Sequence, residues 1–99
     1  MILKNIWPIR RFKVNGNSML PTFREGQYLL VSSWFNDLKV GDVVVLDQSN
    51  QDKKIVKRVA KIQNNQYFLV GDNQKESLDS RSFGWVKKED VLGKVIFSV

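Results

Sequence analysis

The stretch Gly41-Asp42-Val43-Val44-Val45-Leu46, the polar run from Asp47 to Asp52, and then Lys54-Ile55-Val56-Lys57-Arg58-Val59-Ala60-Lys61-Ile62 decide the fold. Both apolar halves are rich in β-branched residues, and the polar run between them reads as a hairpin connection. Asn64 and Asn65 then make a second tight turn into a strand over Tyr67 to Val70. Working back toward the N-terminus, Gln27 to Ser32 follows a Glu25-Gly26 turn. Before it, Arg11 to Val14 reads as a strand ending at the turn Asn15-Gly16-Asn17. Working forward, a long polar loop runs from Gly71 to Gly84, with a helical turn expected near Lys87 to Asp90. Gly93 to Phe97 closes the chain as a last strand. The spacing predicts an all-β fold: a compact, partly closed β-barrel with long loops.

The chain has 99 residues, one domain's worth, which the reading divides into an N-terminal arm over 1–11 and a β-domain over 12–97. There is no cysteine and no histidine. That removes disulfides, thiolate and imidazole zinc sites, and every Ser-His or Cys-His catalytic arrangement. A catalytic base in this chain is a carboxylate, a lysine or a tyrosine. The net charge is +6, of which the first thirteen residues, with no acid, supply +4, leaving +2 for residues 14–99. No apolar run approaches the ~18 residues that read as a membrane span. The N-terminal arm mixes Ile2, Leu3, Ile6, Trp7 and Ile9 with cations, and Pro8 interrupts any helix there. It is expected to pack on its own domain, with weak or no contact to a membrane. No basic stripe accompanies Trp7, Trp34 and Trp85, so they read as core or rim and no nucleic-acid partner is expected. Asp37, Asp42, Asp47 and Asp52 lack the glycine and spacing of a calcium loop, and no metal site is expected. Nothing in the sequence signals an oligomeric state.

Three stretches carry candidate chemistry. In Val14-Asn15-Gly16-Asn17-Ser18-Met19-Leu20-Pro21-Thr22, a serine leaves a tight turn beside a glycine. Ser18 is either a capping serine or a nucleophile whose own amide faces a developing oxyanion. In Ile55-Val56-Lys57-Arg58-Val59, strand alternation puts Lys57 on the face of Ile55 and Val59. Its stem either covers apolar surface while the head reaches water, or its desolvated amine serves as a base. In Gly71 to Gly84, Asp79 and Arg81 are placed to pair, with Ser77 and Ser80 directed inward. The other reading of that loop is a solvated connector held by Asx-type turns at Asp72 and Asn73.

Together and in this order, the three stretches resemble the boxes of the signal peptidase I superfamily of Ser-Lys proteases. The resemblance covers roughly residues 12 to 97. It implies that Ser18 is the nucleophile, Lys57 the neutral general base, and Ser77 a hydroxyl that helps hold the lysine amine. Asp79 and Arg81 order the loop behind it, and the Ser18 amide holds the oxyanion. Gly16 stands where many relatives carry a second, side-chain donor. Met19, Leu20 and Pro21, just after the nucleophile, are expected to meet the substrate, with small side chains favoured at the first and third positions before the cut. The chain runs without the family's membrane anchor, large inserted subdomain and usual continuation after the base. Its compact form is similar to the small maturation proteases of nickel-type superoxide dismutase, especially over Tyr67 to Asn73, Glu76 to Gly84 and Val91 to Val95. Those enzymes are taken to remove a propeptide and expose an N-terminal histidine that binds nickel. The resemblance therefore implies a cytoplasmic serine endopeptidase that needs no cofactor and acts on a precursor protein. A general leader peptidase, peripheral on a membrane, is the second reading. A self-cleaving repressor domain lacks a helix-turn-helix and a cleavable linker before residue 12, and a nucleic-acid-binding barrel has little to support it.

Overall fold

A computed structural model describes residues 8–48, 53–73, 75 and 79–98 of the chain. Seven strands carry the fold: β1 (Ile9–Lys13), β2 (Tyr28–Ser32), β3 (Val43–Gln48), β4 (Lys53–Gln63), β5 (Gln66–Val70), β6 (Val86–Lys87) and β7 (Val91–Ser98). A four-residue helix, α1 (Ser80–Phe83), precedes β6, and a 3₁₀ turn at Lys88–Asp90 follows it. The strands form one antiparallel sheet in the order β1-β2-β7-β3-β4-β5-β6. The all-β expectation holds, and the sheet stops short of closure, with β1 and β6 at its two ends.

The unbroken run Val43 to Leu46 now has a physical reason. Residues of β3 and β4 alternate between two apolar clusters on opposite faces, so neither face is left to water. Val43, Val45 and Val56 join Val14, Met19, Leu29 and Val31 on one face. Val44, Leu46 and Val59 join Leu38, Tyr67, Leu69, Val86 and Val91 on the other. The β4–β5 hairpin turns on Asn64 and Asn65, both at positive φ (52° and 62°), with Gln63 facing Gln66. Asparagine tolerates that backbone, and a two-residue turn of this hand matches the strands' twist.

Strand limits moved where side chains misled. The first strand begins at Ile9, so the last residues of the expected arm are edge strand, with Ile9 opposite Ser32. The last strand runs from Val91 and fills the middle of the sheet between β2 and β3. The expected hairpin connection at 47–52 lies partly outside the described residues. Trp34 is 70% exposed and so belongs to neither core nor rim, whereas Trp85 meets Phe68 edge-on at 5.3 Å.

β7 reaches the middle of the sheet through Gly93. A Cβ built there would lie 2.5 Å from Val31 Cγ1 and 2.9 Å from the Ser32 carbonyl oxygen. Because one of those atoms is backbone of the neighbouring strand, Gly93→Ala is expected to lose about 1–3 kcal/mol of stability by overpacking. A lower urea midpoint at unchanged slope would show it.

Candidate active site

Ser18 sits in a turn built from both sides. Gly16 takes φ 79°, open to glycine but strained for other residues, and its N–H donates to Glu25 Oε1 at 3.3 Å. Downstream, Leu20 N–H donates to the Asn17 carbonyl at 3.2 Å and Phe23 N–H to the Met19 carbonyl at 2.9 Å. Met19 is 1% exposed and packs into the cluster of Val14, Leu29 and Val31. Its place is the core beneath the turn that carries Ser18, so any part it plays toward a substrate is from beneath that surface. Ser18 and Leu20 remain half-buried, and Pro21 is exposed.

Lys57 lies on β4 opposite Val44 of β3 and is 2% exposed. Its same-face neighbours Ile55 and Val59 belong to the cluster of Val44 and Leu46. That burial removes the reading in which its ammonium head reaches water. Burial among apolar side chains is the kind of setting that disfavours a charged amine.

The loop after β5 ties the two together. Asn73 N–H donates to the Ser18 carbonyl at 2.8 Å, and Asn73 Nδ2 donates to the Asn17 carbonyl at 3.0 Å. Asp72 accepts two bonds from Arg58, the residue after Lys57: Nε to Oδ1 and Nη2 to Oδ2, each 2.9 Å. The Thr22 hydroxyl, four residues after Ser18, donates to the same Oδ2 at 2.5 Å. Arg58 Nη1 also donates to the Gly41 carbonyl at 2.8 Å. The solvated-connector reading fails at Asp72, whose carboxylate is spent on long-range partners. An Asx-type bond survives at Asn73, whose Oδ1 accepts from Lys75 N–H at 3.3 Å. Sequence reasoning missed Thr22, Arg58, Asp72 and Asn73 as site residues, although all four stand within the quoted motifs.

Farther along, Asp79 and Arg81 pair through Nε–Oδ1 at 2.9 Å and Nη2–Oδ2 at 2.5 Å. Asp79 also accepts from Gly71 N–H at 2.9 Å and caps α1 by accepting from Arg81 N–H at 3.1 Å. The Ser80 hydroxyl is buried and accepts from Leu69 N–H at 2.8 Å, so its oxygen serves the backbone of β5. Ser77 lies outside the described residues.

Hydrogen bonding from Arg58 is the main cause that holds the Asp72 carboxyl below its ordinary value, with Thr22 adding to it and burial opposing. A carboxylate with a depressed folded value stabilises fully above its unfolded value, about 3.9, and that contribution fades as pH falls through the lower folded value. Asp72→Asn is therefore expected to cost about 1 kcal/mol at neutral pH and to flatten the loss of stability below about pH 4. Tm followed from pH 7 to pH 3 in both proteins checks it; parallel curves would refute it.

A Peptidase S24-like family profile matches residues 9–96. Signal peptidase I of Buchnera aphidicola subsp. Schizaphis graminum is 38% identical over 71 residues, 65% of this chain but 22% of that protein. The chain thus spans about a fifth of that relative's length. Signal peptidase I V of Bacillus subtilis is 25% identical over 137 aligned positions, covering 85% of this chain and 82% of that protein. Mitochondrial ATP-independent inner membrane protease subunit 2 of Arabidopsis thaliana is 32% identical over 80 positions, covering 59% and 39%. Among the described residues no helix is long and apolar enough to cross a membrane. With nearly the whole length matched by that profile, and relatives named as signal peptidases over much of it, the chain belongs to the Peptidase S24-like family.

Proposed function

We propose that the protein is a Ser-Lys endopeptidase that removes an N-terminal propeptide, and that its substrate is the precursor of a nickel-type superoxide dismutase. The observation that carries the chemistry is a lysine 2% exposed, on a strand riveted through Arg58, Asp72 and Asn73 to the backbone of Ser18. In a chain without histidine or cysteine, a buried amine is the base best suited to work near neutral pH. In this reading neutral Lys57 takes the Ser18 Oγ proton as the oxygen attacks the scissile carbonyl. The oxyanion is met by the Ser18 N–H, and the ammonium returns its proton to the leaving amine. Water, deprotonated by the same amine, then attacks the acyl-enzyme and frees the serine. The substrate binds extended, adding a strand beside the residues that precede Ser18, where β1 ends the sheet. The nickel-dismutase assignment rests on the motif resemblance over residues 67–95, and with it a cytoplasmic setting. The names of the relatives favour the second reading, a leader peptidase working at a membrane surface.

One experiment separates the two. The protein is incubated with the dismutase precursor, and with a secretory precursor in the presence of anionic lipid vesicles; new N-termini are read by mass spectrometry. The maturation reading expects a single cut exposing histidine, independent of vesicles. Cleavage of the secretory precursor alone, or only with vesicles, would overturn it in favour of the leader peptidase.

A further inference from the structure

Asn73 grips both peptide groups that flank Ser18. Its backbone N–H holds the Ser18 carbonyl at 2.8 Å, and its side-chain amide holds the Asn17 carbonyl at 3.0 Å. The amide's orientation is fixed twice over: Asn17 presents an acceptor, and Lys75 N–H presents a donor to Oδ1 at 3.3 Å. The Asn17 carbonyl and the Ser18 N–H belong to one planar peptide, pointing in opposite directions. A donor on the carbonyl therefore aims the N–H away from the 72–73 loop and polarises it. Leu20 N–H, at 3.2 Å, is a second donor to the same oxygen. Each bond in such a chain strengthens the next by roughly 10–30%. Asn73 is itself held by its neighbour, since Asp72 is locked by Arg58 and Thr22.

We infer that Asn73 is a positioning residue for the oxyanion donor: its side-chain amide orients and polarises the peptide whose N–H, that of Ser18, stabilises the transition state. The inference rests on the Ser-Lys reading above. It supplies a role for a residue read from sequence only as a turn former. It also compensates in part for Gly16, which offers no side-chain hydroxyl. Asn73 acts through the backbone and touches no substrate, so its effect is predicted on the chemical step and not on binding.

The test uses the full chain and a synthetic peptide spanning a propeptide junction, with alanine at the first and third positions before the cut. Loss of a direct oxyanion donor costs ~10²–10³ in kcat, so loss of its positioning partner should cost less, roughly 10–50-fold. Asn73→Ala is expected to show that fall with KM within about twofold, the pattern of a lost transition-state interaction. Affinity for the corresponding peptide aldehyde, whose adduct carries the oxyanion, should fall in parallel, while affinity for the product peptide holds. Asn73→Asp keeps the shape and loses the donor, so it should be at least as impaired. An independent readout is the Ser18 amide resonance in ¹⁵N NMR, which should shift in both variants while resonances of β3 and β4 stay in place. Unchanged kcat in Asn73→Ala, full activity in Asn73→Asp, or an unmoved Ser18 resonance would each overturn the inference. Ser18→Ala distinguishes the two levels. If it still cleaves, the Ser-Lys reading fails, while the resonance shift reports on the Asn73 contact regardless.

Discussion

Replacing Lys57 with methionine is expected to lower the cleavage rate by ~10³-fold or more while the protein still folds. Methionine matches much of the lysine stem and suits the apolar face that carries Val44, Ile55 and Val59, so the loss falls on the amine. Lys57→Arg should be equally inactive, because a guanidinium stays charged and accepts no proton. Ser18→Ala should match both, and combining it with Lys57→Met should add little, since a nucleophile and its base fail as a unit. The sign of the pH dependence follows from the form of the base that works. In the Ser-Lys reading the working form is the neutral amine, so the rate should rise with pH as the base loses its proton. Cleavage followed by mass spectrometry, with cooperative urea unfolding as the check on folding, measures all of this. A folded Lys57→Arg protein that processes its substrate near the wild-type rate would end the Ser-Lys reading.

The face that Lys57 shares was readable because alternation along a strand is a local property, while the burial of its head was one of two readings left open. Ile55 and Val59 announce an apolar face, and the residue between them must share it. The Asn64-Asn65 hairpin was readable for the same reason, since a two-residue turn is written in its own two residues. What stayed hidden are pairings across sequence distance. Thr22 and Asp72 are fifty positions apart, and Arg58 and Asp72 fourteen, so no window contains them. Read locally, Asp72 suggested an Asx turn; a charged partner with two parallel donors outweighs that weaker local bond. Likewise β7 was recognised as a strand, but its insertion between β2 and β3 depends on Gly93 meeting Val31, a long-range packing fact. Met19 followed the same logic. It stands next to the nucleophile in a motif, yet its long apolar side chain is drawn into the core, which is how the motif keeps Ser18 in place.

The largest effect on stability is expected at Asp79. The residue is 0% exposed, and its side chain accepts from Gly71 N–H, from Arg81 N–H as the cap of α1, and from two nitrogens of the Arg81 guanidinium. Asp79→Ala removes the acceptor for all four at once. The Arg81 guanidinium is 41% exposed and can turn to water, so the cost falls on the Gly71 and Arg81 N–H groups, about 1–3 kcal/mol for each donor left without an acceptor. For a domain of this size each kcal/mol lost is a fall in Tm of about 4–8 °C. Arg81→Ala should cost less, since Gly71 N–H and the cap N–H still face the carboxylate, and the double variant should lie close to Asp79→Ala alone. The segment affected joins β5 to β6, beyond the Asp72–Asn73 pair that grips Ser18, so the two functions of Asp79 can be separated by temperature. Where Asp79→Ala is still folded, kcat near the wild-type value would make Asp79 a purely structural anchor. A kcat loss there, recovered by Asp79→Asn, would show that the acceptor also orders the site. A Tm within a few degrees of wild type would refute the stability argument outright.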